Sequence, residues 1–166
     1  MNTFTRFFKH LITTSAAGKR AFPQDVLHAI EQEIHRGESR HRAEIRLIVE
    51  PAFPVGAVLR RRTSRQRAIA LFAQYGVWDT EENCGVLVYV NLADRKVEIV
   101  TDRGIGKKVK PDDWHAICND MARGFGKGAF LESSLVALGR INALLEQHFP
   151  GTGSRPNQLP NRPLVL

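Results

Sequence analysis

VWDTEENCGVLVYVNLADRKVEIVTDRG, residues 77–104, reads as two hydrophobic strands folded back on one another, with an acidic loop before the first and an Asp-Arg-Gly corner after the second. A turn centred on Ala93-Asp94, residues tolerated in tight hairpin loops, sets the register. Leu92 then faces Arg95, Val90 faces Val97, Val88 faces Ile99 and Val86 faces Thr101. One face becomes almost continuously apolar, while the other pairs Tyr89 with Glu98 and Asn91 with Lys96. A slip of one residue would mix the two faces, so the pattern itself fixes the parity. Extending the ladder puts Gly85 opposite Asp102 and Asn83 near Gly104. Asp79, Glu81, Glu82, Asn83 and Asp102 therefore gather at one end of the hairpin. Asp94 lies at the other end, roughly 25 Å away at about 3.3 Å per residue, and stays apart from them.

Outside the hairpin the elements alternate. Pro23 suits a first helical position, and Val26, Leu27, Ile30 and Ile34 carry an apolar stripe that Gly37 ends. Ile45, Leu47 and Val49 alternate with Glu44, Arg46 and Glu50, as in a strand with one buried face. Pro51 and Pro54 open a loop. Thr63 or Ser64 can cap a helix carrying Ala68, Ile69, Phe72 and Tyr75 up to Gly76. After the hairpin, Pro111 with Asp112 and Asp113 begins a helix through Trp114, Ile117, Cys118 and Met121. A last helix presents Leu131, Leu135, Leu138, Leu145 and Phe149. From Pro150 onward, four prolines and two glycines in seventeen residues predict a disordered tail over 151–166. Helix, strand, helix, hairpin, helix, helix implies an α/β fold, a three-layer α/β/α sandwich whose small mixed central sheet includes the hairpin.

Charge is distributed unevenly. The 166 residues carry a net charge of +7. The first twenty contain Arg6, Lys9, Lys19 and Arg20 and no acid. Between Pro51 and Trp78 lie Arg60, Arg61, Arg62, Arg65 and Arg67, again with no acid. Such a balance suits an anionic membrane surface or an acidic protein partner. Nucleic acid is disfavoured, because no aromatic platform or reading motif accompanies the arginines. The arginines precede or occupy the first turn of a helix, where positive charge opposes the dipole and invites an anion.

Segment 1–21 is basic and amphipathic. Phe4, Phe7, Phe8, Leu11 and Ile12 fall at i, i+3, i+4, i+7 and i+8, one side of a helix with a basic opposite side. That pattern suits an interfacial membrane helix or a helix docked on the domain's own core. No stretch is long and apolar enough to span a bilayer, and the start, interrupted by Arg6, Lys9 and His10, is not read as a secretion signal. The expected location is the cytoplasm, with peripheral attachment at the inner membrane face. Cys84 and Cys118 form neither a disulfide framework nor a zinc pattern and read as reduced thiols.

The order of elements, the run Asn83-x-Gly85-Val86-Leu87 and the run Glu98-Ile99-Val100-Thr101-Asp102-Arg103-Gly104 resemble the TPM domain, over about residues 22–150. That family includes thylakoid-lumen proteins of photosystem repair and many bacterial envelope proteins. The resemblance implies an α/β/α sandwich. Some members bind calcium through acidic and amide side chains at the end of the sheet, and acid phosphatase activity has been assigned to a plant member. Asn83 and Gly85 match the family's Asn-Gly pair with Cys84 inserted between them, and Asp79 matches an acid common upstream. Asp102 stands where many members carry a small residue. Many relatives also have a signal peptide and a transmembrane or glycine-rich tail, neither of which is read here.

Three candidate sites follow. Asp79, Glu82, Asn83 and Asp102 offer the oxygen ligands that Ca2+ or Mg2+ takes, although Arg103, Lys107 and Lys108 stand close by. A metal-assisted acid phosphatase, or phosphomonoesterase, would draw its nucleophile from Asp79, Asp102 or Cys84, with Arg103 clamping an oxyanion, yet no phosphatase motif surrounds them. An anion or acidic partner would meet Arg60, Arg61, Arg62, Arg65, Arg67 and Arg103. A membrane surface would meet Phe4, Phe7, Phe8 and Leu11. The favoured expectation is a non-enzymatic TPM-like binding module, with the phosphomonoesterase as the alternative.

Overall fold

The computed structural model describes residues 3–151 and 156–166. The hairpin pairs as its pleat requires. Strand β2 (Gly85–Asn91) runs antiparallel to β3 (Lys96–Thr101), with Val86 opposite Thr101, Val88 opposite Ile99 and Val90 opposite Val97. The Asp102 amide donates to Gly85 and the Gly104 amide to Asn83, at 2.9 and 3.1 Å, so the ladder extends to the acidic corner. On its other side β2 pairs in parallel with β1 (Glu44–Glu50).

Helices cover both faces of this sheet. On one face Ile45, Leu47, Val49, Val86, Val88 and Val90 pack with α3 (Gln24–Glu38), α7 (Pro111–Gly126) and α8 (Phe130–His148). On the other, Ile48, Leu87, Tyr89 and Val100 meet α4 (Val55–Leu59) and α5 (Ser64–Gln74) through Val58, Ala68 and Leu71. Helices α1 (Thr3–Ile12) and α2 (Ser15–Ala21) precede α3, and a short α6 (Arg103–Gly106) follows the hairpin. The expected three-layer sandwich with a mixed sheet is thus the architecture.

Several local expectations change. All seven residues of β1 are buried, not one face of them, because the strand is central and covered on both sides. Its charged side chains are accordingly partnered: Arg67 grips Glu50 at 2.8–3.1 Å, and Glu44 accepts the Gln158 and Leu159 amides at 3.2 and 3.1 Å. Arg46 donates to the Pro160 and Arg162 carbonyls at 2.7 and 2.6 Å. These last contacts belong to the proline-rich tail, which is ordered rather than disordered over 156–166. It supplies β4 (Leu164–Val165), parallel to β1 at Ile48 and Val49. The remainder of the expected disordered stretch, 152–155, lies outside the described residues.

Gly37 does not end α3 but sits in its last turn, where a Cβ would meet the Asn142 amide at 2.1–2.4 Å. Its role is the close approach of α8. Helix α5 buries Leu71 and exposes Ile69, and α8 exposes Leu131 while burying Ala137 and Ile141. The rest of each expected stripe holds in part: Ala68 of α5 and Leu138, Leu145 and Phe149 at the α8 end are buried, so Ile69 and Leu131 are the residues that depart from it.

Glu38 ties the tail to β1, accepting the Ile45 amide at 2.9 Å and the Asn161 side chain at 2.7 Å. Burial, with the Glu44 charge adding to it, pushes its carboxyl up to about 8, against the pull of the Ile45 and Asn161 bonds. The native state therefore holds a proton that the unfolded chain releases from its ordinary value of 4.5 upward. The stabilisation is complete below that value and is lost as pH rises through about 8. Thermal melting should fall between pH 5 and 8.5, and Glu38→Gln, which stays neutral, should flatten that decline; an unchanged profile would contradict the assignment.

Candidate functional site

The two ends of the hairpin have different chemistry. At the acidic corner Gly85 packs against Val77 so closely that a Cβ would lie 1.8 Å from the Val77 carbonyl oxygen. A Cβ on Gly104 would come within 2.5 Å of the Asn83 oxygen. Asn83 itself takes a left-handed conformation, φ 53°, which an Asn tolerates better than most residues. These close approaches bring the Asn83 backbone onto the chain segment that follows Asp102. Asp102 is buried and caps α6, its Oδ1 accepting the Arg103 amide at 2.7 Å, whereas its Oδ2 has no hydrogen-bond partner among the described residues. Glu82 is engaged by Arg42 at 2.6 Å, and Asp79, Glu81 and Asn83 are exposed. Among the described residues no three His, Cys, Asp or Glu side chains gather as a metal-ligating group. Burial first, and the Glu82 charge second, push the Cys84 thiol up, so at neutral pH it is a thiol and not a thiolate.

The opposite end holds what the sequence reading left unassigned. Asp94, in the hairpin turn, receives Arg6 of α1 through Nε at 2.9 Å and Nη2 at 2.8 Å. His10 Nε2 meets the same carboxylate at 3.0 Å. The Phe53 amide donates to His10 Nδ1 at 2.8 Å, so that nitrogen carries a lone pair and the proton sits on Nε2, facing Asp94. The imidazole also stacks on Phe53, with centroids 5.0 Å apart, and Arg6 lies 5.4 Å from that ring's centre. Although burial alone would raise the Asp94 carboxyl, the bonds from Arg6 and His10 outweigh it and hold the group below the usual carboxylate range. Behind Asp94 the bonds continue through Asn91 and the Tyr89 hydroxyl to Glu50 and Arg67. Nothing in the spacing of Arg6, His10 and Asp94 announces this, because the three meet only after α1 folds across the turn.

That clamp settles which side of α1 faces the protein. Arg6 and His10, read as the solvent side, point inward, and Phe7 packs partly against the core beneath α4 and α5. Phe4, Phe8, Leu11 and Ile12 point outward, with exposures of 75, 56, 55 and 73%. Helix α4, packed beside α1, adds exposed Val55 and Leu59, which the sequence reading missed.

The arginine cluster divides. Arg67 is committed to Glu50, and Arg65 donates to the Ile99 carbonyl at 2.5 Å and lies 3.9 Å from Glu98. Arg60 and Arg61 are exposed just past α4, Arg62 is half-buried, and none of the three makes an ion pair among the described residues. Arg62 does offer its carbonyl to Arg6 at 2.6 Å, which sets this basic segment against α1. Arg103 is exposed at the acidic corner.

Replacing Asp94 by Ala removes the acceptor of both α1 contacts and strands the Arg6 charge. Amide hydrogens of α1 should then exchange faster, with protection in β1–β3 kept. Equal protection of α1 in both proteins would show that apolar contact alone holds it.

The comparisons bear on the fold. No curated protein matches the chain. The NMR structure of BA42 protein from the psychrophilic bacterium Bizionia argentinensis is similar, with a TM-score of 0.74 at 25% sequence identity, covering 85% of this chain and 92% of that one. The family model of the TPM domain matches residues 19–144, from α2 into α8, and leaves α1 and the tail strand outside it. With most of its length matched, the chain belongs to the TPM domain family.

Proposed function

We propose that this TPM-domain chain is a non-enzymatic binding module that attaches to an anionic membrane surface through α1 and α4. The observation that carries this reading is the outward display of Phe4, Phe8, Leu11 and Ile12 on a helix held in place by buried polar contacts. A helix needing only to cover the core would turn these side chains inward. Instead they form, with Val55 and Leu59, an apolar face bordered by Arg60 and Arg61. Apolar side chains that enter the headgroup boundary and basic ones that meet lipid phosphates are the two parts of interfacial attachment. The clamp presents the helix already formed, so binding need not supply the cost of folding it. No helix among the described residues is long and apolar enough to cross a membrane.

Flotation with vesicles separates this from a merely sticky surface. The protein should float with phosphatidylglycerol-containing vesicles, less with phosphatidylcholine alone, and less again as salt rises. Phe8→Glu combined with Leu11→Glu should abolish flotation without lowering the melting temperature, since both side chains are exposed. Flotation surviving in that variant would end the proposal.

A second reading, a divalent cation at the acidic corner, is favoured by one observation: the buried Asp102 Oδ2 has no partner among the described residues. Asp102, Asn83 and Asp79 would be the ligands, Ca2+ suiting their oxygen chemistry better than a smaller ion that demands strict geometry. Glu82 would first have to leave Arg42. Titration with calcium should shift the amides of residues 79–85 and 102–104 in a 15N NMR spectrum, and Asp102→Asn should remove the response. A spectrum indifferent to millimolar calcium disposes of this reading.

A further inference from the structure

The two edges of the sheet are treated differently. On the β1 side, β4 covers the edge at Ile48 and Val49. On the other side β3 is the last strand, and no strand among the described residues pairs with its outer edge. Because the Asp102 amide bonds to Gly85, the alternation of an antiparallel ladder turns Lys96, Glu98 and Val100 toward β2. The main-chain groups of Val97, Ile99 and Thr101 face outward. They open into a groove of about 380 Å3 between α5 and α7, whose walls include Arg65, Trp114, Cys118 and Asn119.

We propose that this edge is the docking site for an extended acidic segment of a partner protein, which joins the four-stranded sheet as a further strand beside β3. Two arguments select that occupant. An unpaired strand edge offers alternating donors and acceptors that only another extended backbone matches along its length. The groove is also basic at its hairpin end, where Arg95 and Lys96 are exposed and make no ion pair among the described residues. Glu98, its one acidic lining residue, already faces Arg65 at 3.9 Å.

Arg65 shows how the edge is kept while empty. Its Nη1 donates to the Ile99 carbonyl at 2.5 Å, the position an incoming strand's amide would take. Across the same residue the Ile99 amide faces the Cys118 thiol. When a strand pairs with Ile99, its N–H replaces the guanidinium, which is freed to meet a carboxylate of the incoming segment. The buried indole N–H of Trp114 in the same wall has no acceptor among the described residues. This proposal is independent of the membrane reading, since α1 and α4 form no part of the groove.

The test uses the full chain and a fluorescein-labelled peptide of alternating valine and aspartate, six residues long to match β3. Controls are a valine–lysine peptide and the valine–aspartate peptide with alternate backbone nitrogens methylated. The acidic peptide should bind, and the amides of Val97, Ile99 and Thr101 should shift and exchange more slowly while those of Glu98 and Val100 stay as they are. Lys96→Glu should weaken binding by about tenfold, the scale of one lost charge contact. Val97→Pro should abolish it, because that N–H faces the groove and proline is tolerated on such an edge. Should Val97→Pro fold poorly, the Lys96→Glu variant and the methylated peptide carry the decision. Equal binding of the lysine or methylated peptide overturns the proposal. Edge amides protected without peptide in a concentration-dependent dimer overturn it too, the occupant then being a second copy.

Discussion

Burial of the central sheet on both faces is the constraint from which most of this structure follows. Strands β1 and β2 are enclosed along their whole length, yet they carry Glu44, Arg46, Glu50, Tyr89 and Asn91. A buried polar group without a partner is costly, so each must find one. Glu50 and Tyr89 recruit Arg67 and with it the orientation of α5. Asn91 orders Asp94 in the turn, and Asp94 in its turn seats α1. Glu44 and Arg46 bind the backbone of the tail. The peripheral segments are positioned by polar groups that the sheet cannot leave unsatisfied.

This explains which features were legible in the sequence. The hairpin register could be read because side chains alternate with period two, and Val86 through Val90 and Val97 through Ile99 leave one consistent parity. The three-layer order follows from that hairpin and the helical stripes around it. What escaped the reading depended on pairings distant in sequence. Arg6 and Asp94 are 88 positions apart, and Arg46 meets carbonyls 114 and 116 positions away. Charged residues in β1 look solvent-facing until the partners that bury them are known. The prolines of the tail argue against helix, but they do not forbid an extended segment held through its carbonyls. At the acidic corner the closeness of the segments carrying Asn83 and Asp102 was readable, whereas the Arg42–Glu82 pair was not.

The two surfaces argued to be functional have opposite origins. The α1–α4 face lies partly outside the matched TPM region, since α1 precedes residue 19, and is attached through side chains of the domain. The β3 edge belongs to the domain itself and exists because nothing in the described chain pairs with it. One surface is apolar with a basic border and the other is a backbone ladder with a basic hairpin end. They present different chemistry from different elements.

Strand β4 has a bearing on how the protein is made. It is C-terminal to every other element, and its partner β1 lies more than a hundred residues earlier. During synthesis from the N-terminus, β1 and β2 can pair as soon as both have left the ribosome, while the flank of β1 stays bare until the tail arrives. For that interval the nascent domain has two naked sheet margins instead of one. A ribosome that stalls within the tail would leave the newborn chain open to pairing with its neighbours on a polysome.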